Sequence, residues 1–316
     1  MSDRDPVSVL LPTPEWGPVC ETLAASLRPG DELLVLCDTA ADPVADHDPP
    51  AGVEILQAGE PTGCSGKANA LAHGMERAEH DRFMWTDDDF PRDEDWLDRL
   101  TDAGKRHGPA SAVPCFVGDG WWRLVEPWYG ALFAVAVLER VGGTADTAWG
   151  GGVTFTREEL TVDVATFAAE LRTVLSDDYL LTQRLPAVHP VRSMVTPVAV
   201  DGDLQSVVSR LVRFGRIVGV NEGWRNSLVT LLLAGVGLAA PFVVAPVVTL
   251  LFAGMYRRLG LRRHTFLLAY PGMFLLPLVT LLARVRDEFE WGGRRYRFAE
   301  SGEVTVLDSE RTEESA

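Results

Sequence analysis

The sequence predicts an α/β protein: a mostly parallel sheet covered by helices on both faces, followed by a C-terminal apolar helical region. Three observations carry this. Residues 7–200 alternate short apolar runs with helical patterns, as strands interleaved with helices do. The run Arg82-Phe83-Met84-Trp85-Thr86 ends in three consecutive carboxylates, Asp87, Asp88 and Asp89. The stretches 227–256 and 265–283 carry no charge.

Val7–Leu11 opens the chain as a β-branched apolar strand, and Val19–Leu27 follows as a helix with apolar residues four apart. Glu32–Cys37 and Val53–Gln57 are short apolar runs bounded by Gly, Pro and Asp, hence strands. Lys67–Ala78 repeats apolar residues at helical spacing. Arg82–Thr86 is a buried strand, and Asp95–Arg106 is a helix behind it. Ser111–Phe116 and Gly152–Thr156 complete the predicted strands around a helix at Pro127–Val141.

The chain of 316 residues has a net charge of −16, with two lysines (Lys67 and Lys105) against 27 arginines. This acidic, arginine-rich balance suits a high-GC, salt-adapted source and argues against nucleic acid as a partner. Cys20, Cys37, Cys64 and Cys115 lie far apart, which fits a reducing compartment better than zinc or disulfides. The polar N-terminus has no signal-peptide pattern.

Carboxylates at the C-terminal end of a buried strand stand where open α/β sheets bind ligands. Three together repel unless a cation joins them, and hard oxygen donors suit Mg²⁺ or Mn²⁺. Equally, an aspartate there can cap the helix that follows. Asp38 ends its strand and is open to two readings, contact with a base or ribose, or a turn residue. Gly63-Cys64-Ser65-Gly66-Lys67-Ala68 lacks the glycine and the Ser/Thr of a Walker A loop. Lys67 is either a solvated loop residue or a cation beside a diphosphate at a helix N-terminus. Asp177 and Asp178 head an amphipathic helix, where capping explains one of them and a general base the other. Arg210 and Arg213 share one face of a helix over Gln205–Val220. They suit either a diphosphate or a membrane surface.

In this order, the motifs resemble the family 2 glycosyltransferases, especially the membrane-bound branch with ceramide glucosyltransferase and the processive synthases. Val7-Ser8-Val9-Leu10-Leu11-Pro12 resembles its first strand, with Glu15 in the following loop. Asp38 falls at its first nucleotide-binding aspartate. Asp87 and Asp89 match its Asp-x-Asp metal motif, and Asp177-Asp178-Tyr179 its acidic motif, whose second acid is the base. Arg210-Leu211-Val212-Arg213-Phe214 resembles Gln/Arg-x-x-Arg-Trp, with Phe214 at the tryptophan position. Ala148 to Gly152 and Arg157 resemble its acceptor segment, and Glu290 to Tyr296 a segment after the last span.

The resemblance implies a GT-A fold and inverting transfer from a nucleotide-diphosphate sugar, UDP-linked by expectation, to a hydroxyl or phosphate of a lipid or lipid-linked acceptor. Asp178 is then the base beside Asp177. Asp38, Lys67, Asp87, Arg210 and Arg213 bind the nucleotide sugar, and Asp87 and Asp89 hold Mg²⁺ or Mn²⁺. Asp88 points away and tolerates substitution. A nucleotidyltransferase and a non-catalytic membrane scaffold are the alternatives.

The expected organisation is a catalytic domain over 1–204, an interface helix at 205–225, transmembrane helices at 226–284 and a cytosolic tail from 285, disordered at its end. Each uncharged stretch is long enough for a bilayer, which takes about 20 apolar residues, and Pro241 and Pro246 leave the first open to a kink or to folding back on itself. The arginines in 257–263 and those after residue 283 both claim the cytosolic side. Two spans satisfy only one claim. Two spans with a cytosolic tail and a cytoplasmic catalytic domain at the cell membrane is the expectation taken forward.

Overall fold

The computed structural model describes residues 5–141, 146–219, 223–299 and 304–309. The chain forms two compact units, one of residues 1–113 and 143–196, the other of 114–142 and 197–316. The continuous domain expected over 1–204 is therefore interrupted, because the segment after Val113 belongs with the C-terminal part.

The first unit contains β1 (Val7–Pro12), α1 (Pro18–Ser26), β2 (Glu32–Cys37), β3 (Val53–Gln57), α2 (Gly66–Arg77), β4 (Arg82–Thr86), α3 (Trp96–His107) and the start of β5 (Ala110–Gly118), up to Val113. The segment that follows β5 supplies α4 (Trp122–Glu126) and α5 (Leu132–Leu138) to the second unit. The chain then returns to the first through β6 (Gly152–Thr156), α6 (Val164–Leu171), α7 (Asp177–Arg184) and β7 (His189–Val200). The sheet order is β3-β2-β1-β4-β6-β5-β7. β1 pairs in parallel with β2 and β4, and β2 with β3. β6 is antiparallel to both β4 and β5. The predicted α/β class and mostly parallel sheet are observed.

All five residues of β4 are buried, as a strand with covered faces requires. Trp85 stacks on Phe167 with centroids 6.0 Å apart and meets Phe155 edge-on at 5.4 Å. Fully burying a side chain of this size contributes about 2–3 kcal/mol, and each aromatic pair about 1 kcal/mol more. α2 lies close against the sheet because Gly74 has no side chain. A Cβ there would stand 2.8 Å from Leu36 Cδ1 and 2.9 Å from Leu10 Cδ2. β7 was not foreseen, since Pro190 and Pro197 interrupt its pattern. Both are tolerated because β7 is the sheet's terminal strand.

In the second unit the helix expected at Pro127–Val141 opens with a π-type turn, Pro127–Ala131, and is α-helical only over Leu132–Leu138. The unit continues with α8 (Leu204–Gly219), α9 (Gly223–Ala239), α10 (Pro241–Arg258), α11 (Ala269–Met273) and α12 (Leu276–Val285). A three-stranded antiparallel sheet follows, with β8 (Glu288–Trp291), β9 (Arg294–Phe298) and β10 (Val304–Ser309). Gly292 and Gly293, at φ 59° and 70°, turn β8 into β9. Two consecutive positive φ values are what a tight hairpin with the right twist demands.

Two expectations are corrected here. The chain end is not structureless throughout, since Val304–Ser309 pairs with β9, Val304 opposite Phe298. Residues 300–303 and 310–316 lie outside the described residues. Secondly, among the described residues no single helix is long and apolar enough to cross a membrane. One bent pair, Thr265–Met273 with Leu276–Val285, meets the limits together across a 65° bend. The uncharged stretch 227–256 is broken at Ala240, whose φ −137° and ψ 57° leave the helix, and Pro241 starts a new one. A proline suits a first helical turn and ends the helix before it.

Candidate functional site

Three elements of the first unit bring acids and a lysine together. Ser65 caps α2 by accepting from the Ala68 N–H at 3.1 Å, which sets Lys67 in the first turn. β4 delivers Asp87 at its end. α7 begins with Asp177 and Asp178, and its cap is Ser176, which accepts from the Tyr179 N–H at 3.2 Å. Capping therefore does not account for either α7 acid. Nor does it account for the triplet, because α3 starts at Trp96 behind Asp95.

Lys67 Nζ lies 2.6 Å from Asp87 Oδ1 and 3.0 Å from Asp177 Oδ2. Asp177 is 2% exposed. Its Oδ2 has no aligned hydrogen-bond donor among the described residues, so the Lys67 contact is ionic rather than a directed hydrogen bond. Asp178 Oδ1 accepts from the Gly150 backbone N–H at 2.6 Å.

The electrostatics follow from this packing. Burial alone would drive the Lys67 pKa down, but Asp177, Asp87 and Asp178 together hold it well above its ordinary value. Lys67 is a fixed cation at neutral pH. Burial and then the neighbouring Asp177 push the Asp178 carboxyl well above the usual carboxylate range, against the opposing effects of Lys67 and the Gly150 N–H. Such a carboxyl suits proton transfer, because a base works best with a pKa near the operating pH.

The segment before β6 forms the floor. A Cβ on Gly150 would stand 2.3 Å from Asp177 Oδ2, 2.6 Å from Asp178 Oδ1 and 3.0 Å from Lys67 Nζ. One on Gly151 would meet the Trp149 ring at 2.3 Å and Asp87 Oδ2 at 2.6 Å. Only glycine lets backbone approach the carboxylates this closely. The segment is anchored by Ala148 N–H to Thr182 Oγ1 and Trp149 N–H to Ser111 Oγ, both 3.0 Å, and by Thr86 Oγ1 to the Gly151 carbonyl at 3.1 Å.

Arg92 fixes the turn that carries the triplet, a role the sequence did not disclose. Its guanidinium donates to the Asp87 carbonyl, to Thr86 Oγ1 and to the Phe90 carbonyl. It also stacks 3.9 Å from the Phe90 ring centroid. Burial pushes its pKa down to about 10 despite Asp87, Asp89 and Asp88, so it stays charged. Two of its three acceptors are backbone carbonyls, which only the folded turn brings together.

The structure thus gathers Lys67, Asp87, Asp177 and Asp178 of the residues singled out in the sequence. Asp89 is exposed on the turn beside Arg92. Asp38 stands at the end of β2, where the buried Asp42 accepts from the Asp38 and Thr39 N–H groups. Arg210 and Arg213 belong to the second unit. Arg213 is buried, with its guanidinium 4.3 Å from the Trp291 ring centroid and 5.5 Å from that of Phe214. The indole beside this arginine comes from the β8–β9 hairpin rather than from position 214. Both arginines line an open cavity of about 390 Å³ with Gln205, Ser209 and Trp291.

Among the described residues no three His, Cys, Asp or Glu side chains converge on one point as a self-sufficient metal cage. Asp87 and Asp89 are two hard oxygen donors on one turn. That donor set fits Mg²⁺ or Mn²⁺, which commonly takes one or two carboxylates and completes its shell with substrate phosphates.

No family model matches the chain, and no curated protein matches it. Solved structures do. Glucosyl-3-phosphoglycerate synthase from Mycobacterium tuberculosis, in complex with Mn²⁺, UDP-glucose and phosphoglyceric acid, superposes with a TM-score of 0.38 and 18% identity over 62% of this chain and 72% of that one. Another complex of that enzyme gives 0.35 and 20%, over 51% of this chain and only 59% of the other. Rv0371c from M. tuberculosis H37Rv gives 0.33 and 16%, over 63% and 90%. Likenesses this distant assign no activity to the chain.

Proposed function

We propose that the chain is a GT-A, family 2-like inverting glycosyltransferase. It moves a sugar from a nucleotide-diphosphate donor, UDP-linked by expectation, to a hydroxyl or phosphate of a lipid or lipid-linked acceptor. The observation that carries this reading is the Lys67–Asp87–Asp177–Asp178 cluster at the C-terminal end of β4. Its acids are not used as helix caps, and its glycine floor brings backbone into direct contact with the carboxylates.

For a hydroxyl acceptor, Asp178 takes the proton as the acceptor oxygen forms its bond to the anomeric carbon. The bond from that carbon to the diphosphate oxygen breaks, and the nucleoside diphosphate leaves. The Gly150 N–H holds Asp178 by its Oδ1. Lys67 supplies positive charge where the leaving group gains negative charge, a preorganised contribution of the kind that dominates many active sites. A Mg²⁺ or Mn²⁺ held by Asp87 and Asp89 would neutralise further diphosphate charge. Asp177, by fixing Lys67, positions it.

The test is a donor screen with membrane lipid extract and Mg²⁺ or Mn²⁺, read by product mass. Glycolipid with release of nucleoside diphosphate is expected. Formation of a nucleotide sugar and pyrophosphate from nucleoside triphosphate and sugar phosphate would assign the site to nucleotidyl transfer instead. Absence of metal-dependent UDP binding would remove both.

A further inference from the structure

The second unit carries a surface that the chemistry of the first does not use. α9 exposes Leu228, Leu231, Leu232 and Leu238, and α10 exposes Phe242 and Leu250, among other large apolar side chains. Phe242, just past the break at Ala240, is 94% exposed. A contiguous apolar surface of this extent marks a partner or a membrane.

The length of the apolar part is informative. On α9 the exposed run extends from Leu228 to Leu238, and on α10 from Phe242 to Leu251. At 1.5 Å per residue each run is about 15 Å long, half of a hydrocarbon core of about 30 Å. Beyond Leu251, α10 turns to protein. Phe252 packs on Trp128 with centroids 4.8 Å apart, and the Tyr256 hydroxyl donates to the buried Glu126 at 3.1 Å.

The arginine segments at the two ends share one scaffold. Arg258 Nε donates to Glu139 and Arg263 Nε to Glu126, both at 3.0 Å. This ties the loop 257–263 to the 118–139 segment. Behind α12, Arg216 Nε donates to the Arg286 carbonyl at 2.9 Å, and the Glu290 N–H to Ser209 Oγ at 2.8 Å. The tail is thereby tied to α8. Trp122 and Val125 of the first segment lie in one buried cluster with Val207 and Leu211 of α8 and Val279 of α12. α9 packs along the α11–α12 segment in the opposite direction, with Gly237 against Met273 at the end of α11 and Thr230 beside Thr280 of α12. Both basic segments are therefore anchored on this scaffold, while Phe242, just past the helix break at Ala240, stands exposed.

We infer that this unit inserts into one leaflet of an anionic bilayer, with α9 and α10 dipping in and returning, rather than spanning it. The inference deepens the membrane part of the proposed function and rests on it. The partner is a lipid surface because exposed arginines flank the apolar runs. Arg257, Arg258, Arg262, Arg284 and Arg286 all face solvent, and such residues favour anionic headgroups. One-leaflet insertion also removes the conflict between two arginine segments that both claim the cytosolic side.

The test uses the full chain. Arg262→Cys and Asp287→Cys are labelled with a membrane-impermeant maleimide in sealed cells and in inverted membrane vesicles. The four native cysteines are buried. Both sites are expected to label only in inverted vesicles. Labelling from opposite sides would establish a span and overturn the inference. In parallel, purified protein should float with phosphatidylcholine–phosphatidylglycerol vesicles, and Phe242→Asp should lower partitioning about tenfold or more. Undiminished partitioning of Phe242→Asp, or a stable oligomer that ignores vesicles, would also overturn it. UDP binding by Phe242→Asp should be unchanged. Loss of vesicle binding with UDP binding intact therefore separates this inference from the glycosyl-transfer reading.

Discussion

The backbone N–H of Gly150 donates to Asp178 Oδ1 at 2.6 Å, and no side chain fits between them. A Cβ at 150 would displace Asp177, Asp178 or Lys67, all within 3.0 Å of it. Gly150→Ala is therefore expected to lower kcat about 100-fold, since a displacement near 1 Å costs about that much in a positioned site. Circular dichroism should show the fold retained, with the urea midpoint lowered by the equivalent of about 1–3 kcal/mol, the cost of overpacking. Steady-state turnover of the variant near the wild-type value would mean that the Gly150–Asp178 contact positions nothing.

Asp178→Asn keeps the shape and removes the proposed base. Transfer is expected to fall about 10²–10⁴-fold while donor affinity is retained. In the wild type, burial and Asp177 raise the Asp178 pKa, so the active, ionised form is populated only as pH rises through that raised value. The acidic limb of the kcat/KM profile should disappear in the variant. Stability has the opposite sign. A carboxyl protonated more tightly in the folded state contributes fully below its unfolded value of about 4, and the contribution is lost as pH rises through the folded value. Denaturant midpoints from pH 4 to 8 should fall in the wild type and fall less in Asp178→Asn.

Much of this site was legible locally. The apolar pentad Arg82–Thr86 gave the strand and so the sheet edge on which Asp87 stands. The Lys67 and Asp177 helices were visible from their apolar spacing. The pairing of Lys67 with Asp177 was not legible, because 110 residues separate them and nothing local selects that partner. Arg92 was hidden because two of its three acceptors are backbone carbonyls, which carry no residue identity. The choice between cap and base at Asp177–Asp178 turned on Ser176, one residue earlier, whose capping role only the backbone geometry reveals. In the second unit, Pro241 and Pro246 marked 227–256 as open to a kink or a reversal, while summed hydropathy does not register where Ala240 leaves the helix. The Trp291 indole reached Arg213 from a hairpin 78 residues on.

Lys67→Met leaves Asp87 and Asp177 with a buried charge uncompensated. Breaking one side of such a pair costs about 3–5 kcal/mol. Because Lys67 is held well above its ordinary pKa, its contribution is complete at neutral pH. It is lost only as pH rises through that elevated value, so the loss in Lys67→Met should be constant from pH 6 to 9. Adding Asp177→Asn should restore at least part of the stability by removing the orphaned charge. Urea unfolding of the two single variants and the double variant measures the coupling. Strict additivity would show that the 3.0 Å contact carries no energy.

The triplet separates into residues with different duties. Asp87 is engaged by Lys67 through Oδ1, and Asp89 is exposed at the same turn, so a divalent ion arriving with a diphosphate has hard donors on both. Asp88 is exposed as well, and on this bend beyond β4 only the Asp-x-Asp spacing sets it apart from that pair. Asp89→Ala is expected to abolish the gain in UDP affinity on adding Mn²⁺, while Asp88→Ala preserves it within about twofold, a difference of roughly 0.4 kcal/mol. Calorimetric titration of UDP with and without Mn²⁺ makes the comparison. Equal losses in the two variants would make the triplet a diffuse acidic patch rather than a site with assigned ligands.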